Sequence, residues 1–123
     1  MAFALSASAP PQLAQQVTDG GDVPLSRFEQ NETSQKSELL QLAAELGRAS
    51  GDAEYCEYDP RVVEQFIVDA QARLARETTD GLRMAGARLE FNAFAAYGRS
   101  RGPDDGCEEF EAQFADLRRF VQR

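Results

Sequence analysis

Thr78-Thr79-Asp80-Gly81 separates two runs of helical periodicity, and whether it turns or merely bends the chain decides the fold. Before it, Val63, Phe66, Ile67, Ala70 and Leu74 recur at three- and four-residue spacing, as the buried stripe of one helix does. After it, Leu82, Ala85, Leu89, Ala93 and Ala96 lead a second such run toward Gly102 and Pro103, with Phe91, Phe94 and Tyr97 widening its apolar face. A kink would fuse the two into one long rod. A turn folds them into a hairpin, and Asp followed by Gly is turn chemistry, so the hairpin is the expected form.

The flanking sequence supports the hairpin. Asp59 is a capping residue and Pro60 occupies the first helical position, where its missing N–H costs nothing, so the helix before the turn opens cleanly. An earlier helix is expected from about Thr33 or Ser34 to Ser50, with Leu39, Leu42, Ala43 and Leu46 as its stripe, Leu40 beside it, and Gly51 as its stop. Pro103-Asp104-Asp105-Gly106 breaks the chain once more. Asp105 and Glu108 then match a capping-box spacing ahead of a last helix with Cys107, Phe110, Phe114, Leu117 and Val121 on one face. The fold class is therefore all-α, a small up-and-down bundle of about four helices.

In such a bundle the second and fourth helices begin at the same pole. Cys56 and Cys107 belong to those two beginnings, so a disulfide between them is predicted. Closing 51 residues would contribute on the order of 4 kcal/mol in the loop-entropy description. A structural disulfide implies an oxidising compartment, hence a periplasmic or extracellular location; reduced thiols would mean a cytoplasmic one. A metal or redox-catalytic role for the pair is disfavoured, because the chain has no Cys-x-x-Cys and no His.

Residues 1 to 31 read as an N-terminal arm and 32 to 123 as the bundle domain. The arm carries Pro10, Pro11, Gly20, Gly21 and Pro24 among polar residues and shows no sustained periodicity. Leu13, Val17 and Phe28 are its anchors for a partner surface. Met1 to Ala9 resembles the tail of a secretory h-region ending in small residues; without a basic n-region, and with Pro10 following, an ordinary tail is the favoured reading. No run of 18 apolar residues is present.

The net charge of −8 comes from 21 acidic and 13 basic residues, of which Lys36 is the sole lysine. Nucleic acid is disfavoured as a partner, since a duplex binder needs a basic face to displace counterions. The missing imidazole removes the Ser-His and Cys-His nucleophiles, His-ligated zinc and the Glu-x-x-His di-iron pattern, so an enzyme is not expected and no cofactor is implied. Glycine-rich phosphate loops are also missing from the sequence.

What remains is binding. Glu54, Glu57 and Asp59 near the first cysteine, and Asp104, Asp105, Glu108 and Glu109 near the second, gather acids at one pole. Most of these are explained by acids complementing helix beginnings, and a cluster of arginines toward helix ends (Arg73, Arg76, Arg118, Arg119, Arg123) fits the same account. The candidate partner-binding residues are Phe91, Phe94, Tyr97, Asp104, Asp105 and Glu108, together with the arm anchors. The leading expectation is a non-enzymatic, exported protein that binds another protein as a small accessory subunit. The alternatives are an acidic inhibitor that neutralises a basic partner, and a binder of a small apolar ligand in a cavity lined by Phe66, Phe94 and Phe114.

Overall fold

A computed structural model describes the backbone of residues 27 to 123 and the side chains from Glu38 onward. Leu13 and Val17, and with them residues 1 to 26 of the expected arm, lie outside the described residues; the remaining arm residues, 27 to 31, are helical, and Phe28 falls in that first turn, its side chain undescribed. Among the described residues there are four α-helices: α1 (Arg27–Tyr55), α2 (Pro60–Glu77), α3 (Gly81–Arg101) and α4 (Cys107–Gln122).

The deciding segment is a turn. α2 ends at Glu77 and α3 starts at Gly81, with Asp80 between them accepting hydrogen bonds from the N–H groups of Leu82 at 2.8 Å and Arg83 at 3.3 Å. Two donors that a helix start leaves unpaired are thereby satisfied. Asp59 does the same for α2 through the Arg61 N–H at 2.8 Å, ahead of Pro60 as expected. The hairpin therefore forms, and the all-α bundle with it.

α1 departs from expectation at both ends. It begins at Arg27, six or seven residues early, in a polar stretch free of Gly and Pro whose helicity has no apolar stripe to announce it. It also passes straight through Gly51 and ends in a Schellman turn four residues later. There the Tyr58 N–H reaches the Ala53 carbonyl and the Glu57 N–H reaches the Glu54 carbonyl, both at 3.0 Å. The left-handed position of that turn, normally glycine, is Glu57 at φ 62°. The true helix end thus carries none of the residues that advertise one.

Gly51 has a different task. A Cβ on Gly47 would collide with the Phe91 carbonyl and one on Gly51 with that of Ala95, while a Cβ on Gly98 would lie 2.7 Å from the Arg48 carbonyl. These three glycines let the backbones of α1 and α3 touch. The result corrects the expected α3 stripe: Ala87, Phe91, Ala95 and Gly98 face inward, whereas Leu82, Ala85, Leu89, Ala93 and Ala96 point outward. Close approach selects the side of α3 with small residues, and the bulky leucines are left on the other.

α2 packs against both α3 and α4. Leu39, Ala43, Leu46, Val63, Phe66, Leu74, Phe91, Phe110, Phe114 and Val121 form one continuous core with the buried alanines. Phe110 and Phe114 stack at 5.2 Å, and Tyr58 and Phe66 each meet Phe114 edge-on at 4.9 Å. The expected capping box does not form. α4 is capped by Gly106, at φ 93°, with no side-chain hydrogen bond, and Asp105 and Glu108 are both exposed.

Candidate functional site: the disulfide pole and the outer face of α3

Cys56 and Cys107 are joined by a disulfide, with their Cα atoms 5.7 Å apart. It clasps the α1–α2 turn to the first residue of α4, at the pole where α3 also ends. The half-buried Arg48 holds that end from α1. Its guanidinium donates to the Gly102 carbonyl at 2.7 Å, to Asp104 at 3.2 Å and to Asp52 at 3.0 Å, and it lies 4.7 Å from the centre of the Tyr97 ring. Gly102, at φ 76°, lies against the Tyr55 ring. Arg48 and Asp52 escape sequence reading because a single i, i+4 pair is common on any helix. What distinguishes this one is the burial of Asp52, 5% exposed.

Burial pushes the Asp52 carboxyl above its ordinary range, and Arg48 offsets that shift only in part. Burial also works against the charge on Arg48, but hydrogen bonds to Asp52 and Asp104 outweigh it and leave its pKa raised. Burial likewise raises the Tyr58 hydroxyl, reinforced by Glu111 and opposed by Arg118. None of these shifts sits beside a nucleophile or a metal-binding set. Among the described residues, no three His, Cys, Asp or Glu side chains come together to hold an ion.

The sequence-derived site residues separate into two groups. Phe91 is buried against α1 and belongs to the core, not to a partner surface. Phe94 and Tyr97 are 37% and 44% exposed on α3, and Asp104, Asp105 and Glu108 are exposed at the disulfide pole. Phe66 and Phe114 fill each other's surroundings in the core while Phe94 stands at the surface, so the three are not the walls of one cavity.

Two apolar surfaces emerge, one on α3, where the sequence places more apolar residues (Leu89, Ala93, Ala96, Phe91, Phe94, Tyr97) than one buried stripe needs, and one that the sequence did not single out. One is the outer stripe of α3, where Leu82 is 85% and Leu89 is 72% exposed alongside exposed Ala85, Ala93 and Ala96, with no charged residue in that set. Helical spacing alone does not say which part of so wide an apolar face is buried. The other is an open groove of about 690 Å³ between the end of α1 and the outer side of α2, lined by Tyr58, Pro60, Val63, Ile67 and Val68 and rimmed by Glu54, Glu57 and Glu64. Val68 is 56% exposed in it.

No family model, curated protein or solved structure matches this chain. Its function must be argued from these surfaces alone. Among the described residues, no helix is long and apolar enough to cross a membrane.

Proposed function

We propose that this protein is a small, non-enzymatic binding module, exported to an oxidising compartment, that docks on another protein as an accessory subunit through the outer stripe of α3. The observation that carries the reading is the exposure of Leu82 and Leu89 on a continuous uncharged face. Isolated exposed leucines are ordinary on a protein surface, but five apolar residues in register along one helix are the pattern of a helix that lies on a partner. Tyr97 extends the same surface toward the disulfide pole, and exposed Phe94 lies about a third of a turn round the helix from Leu82. Export rests on the disulfide, which persists where thiols are not continually reduced.

The test is stoichiometric co-purification from the native cell, comparing the wild-type chain with a Leu82→Glu, Leu89→Glu double variant. Both positions are solvent-facing, so the variant should keep its helicity and melting temperature while losing the co-purifying protein. Equal recovery of that protein with both chains would reject the α3 surface. The acidic-inhibitor reading has its own support in the exposed Asp105, Glu108 and Glu109 around Cys107. It predicts instead that reversing the charge of Asp104, Asp105 and Glu108 slows association and that added salt does the same, since such surfaces act mainly through long-range steering.

A further inference from the structure

We propose that the outer stripe of α3 on one copy of this chain docks into the groove between α1 and α2 on a second copy, so that purified protein associates head to tail. The two surfaces match in character. The stripe presents Leu82, Ala85 and Leu89 with no charge among them, and the groove presents Tyr58, Pro60, Val63, Ile67 and Val68 as an apolar floor. They match in length as well. Pro60 to Val68 runs ~12 Å along α2 and Leu82 to Leu89 runs ~10.5 Å along α3, at 1.5 Å per residue.

Charge selects the pairing. In a chain of net charge −8, α3 is the basic element: Arg83, Arg88, Arg99 and Arg101 stand against Glu90 alone. The groove carries the opposite sign, with three glutamates and no basic residue in its lining; Glu54 is already paired with Arg99 of the same copy at 3.5 Å, so Glu57 and Glu64 are the charges offered to a second copy. Placing two α3 stripes face to face would oppose one basic helix to another, whereas placing a stripe in the groove sets Arg88, beside the stripe, against Glu57 and Glu64; Arg83 and Arg99 are already paired within one copy, with Asp80 and Glu54. The contact is heterologous. Each docked copy still offers a free stripe at one end and a free groove at the other, so association continues past the dimer unless the geometry closes a ring.

This inference stands apart from the proposed function, because it concerns the chain with no other protein present. Sedimentation velocity on the full oxidised protein, over a range of concentrations and at low and high salt, reads it directly. The expected result is a weight-average mass that rises with concentration beyond the dimer and falls back with salt. Arg88→Glu and Glu64→Arg, both at exposed positions, should each weaken association at least about tenfold, and mixing the two variants should restore it, because each then meets a surface of opposite sign. A monomer at all concentrations would overturn the proposal. So would a dimer that Leu89→Glu abolishes but Glu64→Arg and Val68→Glu leave unchanged, which is the signature of a stripe-to-stripe contact. Either failure leaves the co-purification test of the partner surface untouched.

Discussion

Asp52 is a carboxylate that the fold would hold more comfortably as an acid. It is almost wholly buried on α1, its guanidinium partner Arg48 is itself divided among Gly102, Asp104 and the Tyr97 ring, and burial outweighs the pairing. The sign of the stability effect follows from that raised pKa. Between the ordinary carboxyl value of 3.8 and the higher value in the fold, the native protein retains a proton that the unfolded chain has released. The contribution of Asp52 to stability is therefore fully present at acid pH and is lost as pH rises through the folded pKa, the opposite of a well-paired surface aspartate. Measured as melting temperature from about pH 4 to about pH 7, the wild-type protein should lose ground to an Asp52→Asn variant as pH increases. Wild type gaining on the variant instead would mean that Arg48 dominates and that the carboxyl titrates below its ordinary range. The same pair explains why Arg48 matters to the pole. It is the side chain that ties α1 to the carbonyl at the end of α3 and to the loop leading into α4.

At the scale of elements, the two kinds of helix contact in this molecule leave very different marks in the sequence. α2 and α4 meet through Phe66, Phe110, Phe114 and Val121, large residues at helical spacing, and their stripes were legible for that reason. The contact of α1 with α3 works by subtraction. Gly47, Gly51 and Gly98 bring two backbones together, and glycine in a helix reads as a break because its intrinsic helix propensity is poor. Gly51 therefore mimics a helix stop, and the leucines of α3 mimic an inner face. The spacing of Gly47 and Gly51, one helical turn apart, was the signal that could have shown the seam. Glu57, in the left-handed position of the Schellman turn, concealed the true end. A pair of alanine substitutions separates close approach from mere helix weakening. Gly51→Ala should destabilise by about 3 kcal/mol, since its Cβ meets the Ala95 backbone and neither helix has room to yield. Gly86→Ala should stabilise by roughly 0.5 to 1 kcal/mol, because its Cβ meets only a Leu40 methyl at 3.9 Å and alanine suits a helix interior better. Chemical denaturation of both variants checks the pair. Similar losses at the two positions would mean that the α1–α3 seam is looser than its geometry.

For the whole molecule, the disulfide is the feature that was most legible from sequence, because topology and cysteine placement each implied the other. The surfaces were least legible, since an exposed stripe and a buried one have the same period, and a groove is made by elements distant in sequence. The disulfide also has a local consequence that the loop-entropy figure does not convey. α4 starts at Gly106 and Cys107 without a side-chain cap, while its far end is held by Arg73, which donates to the Phe120 carbonyl at 3.0 Å and lies over the Phe120 ring. One end of α4 is thus fixed by ordinary contacts and the other by a covalent bond. Replacing Cys56 and Cys107 together by serine should cost about 4 kcal/mol for the 51-residue loop, a large part of the stability of a domain this small. The loss should not be uniform. Amide exchange should accelerate most in the first turns of α4 and in the α1–α2 turn, and least around Arg73 and Phe120. The hydrophobic contacts of Phe110 and Phe114 with Tyr58 oppose that fraying, and their strength is what the experiment weighs. Exchange rising equally along α4 would mean that the clasp stabilises the whole helix and not the pole in particular, whereas a double variant that melted at the wild-type temperature would mean that the aromatic cluster is sufficient to hold the pole and the covalent clasp is redundant to the fold.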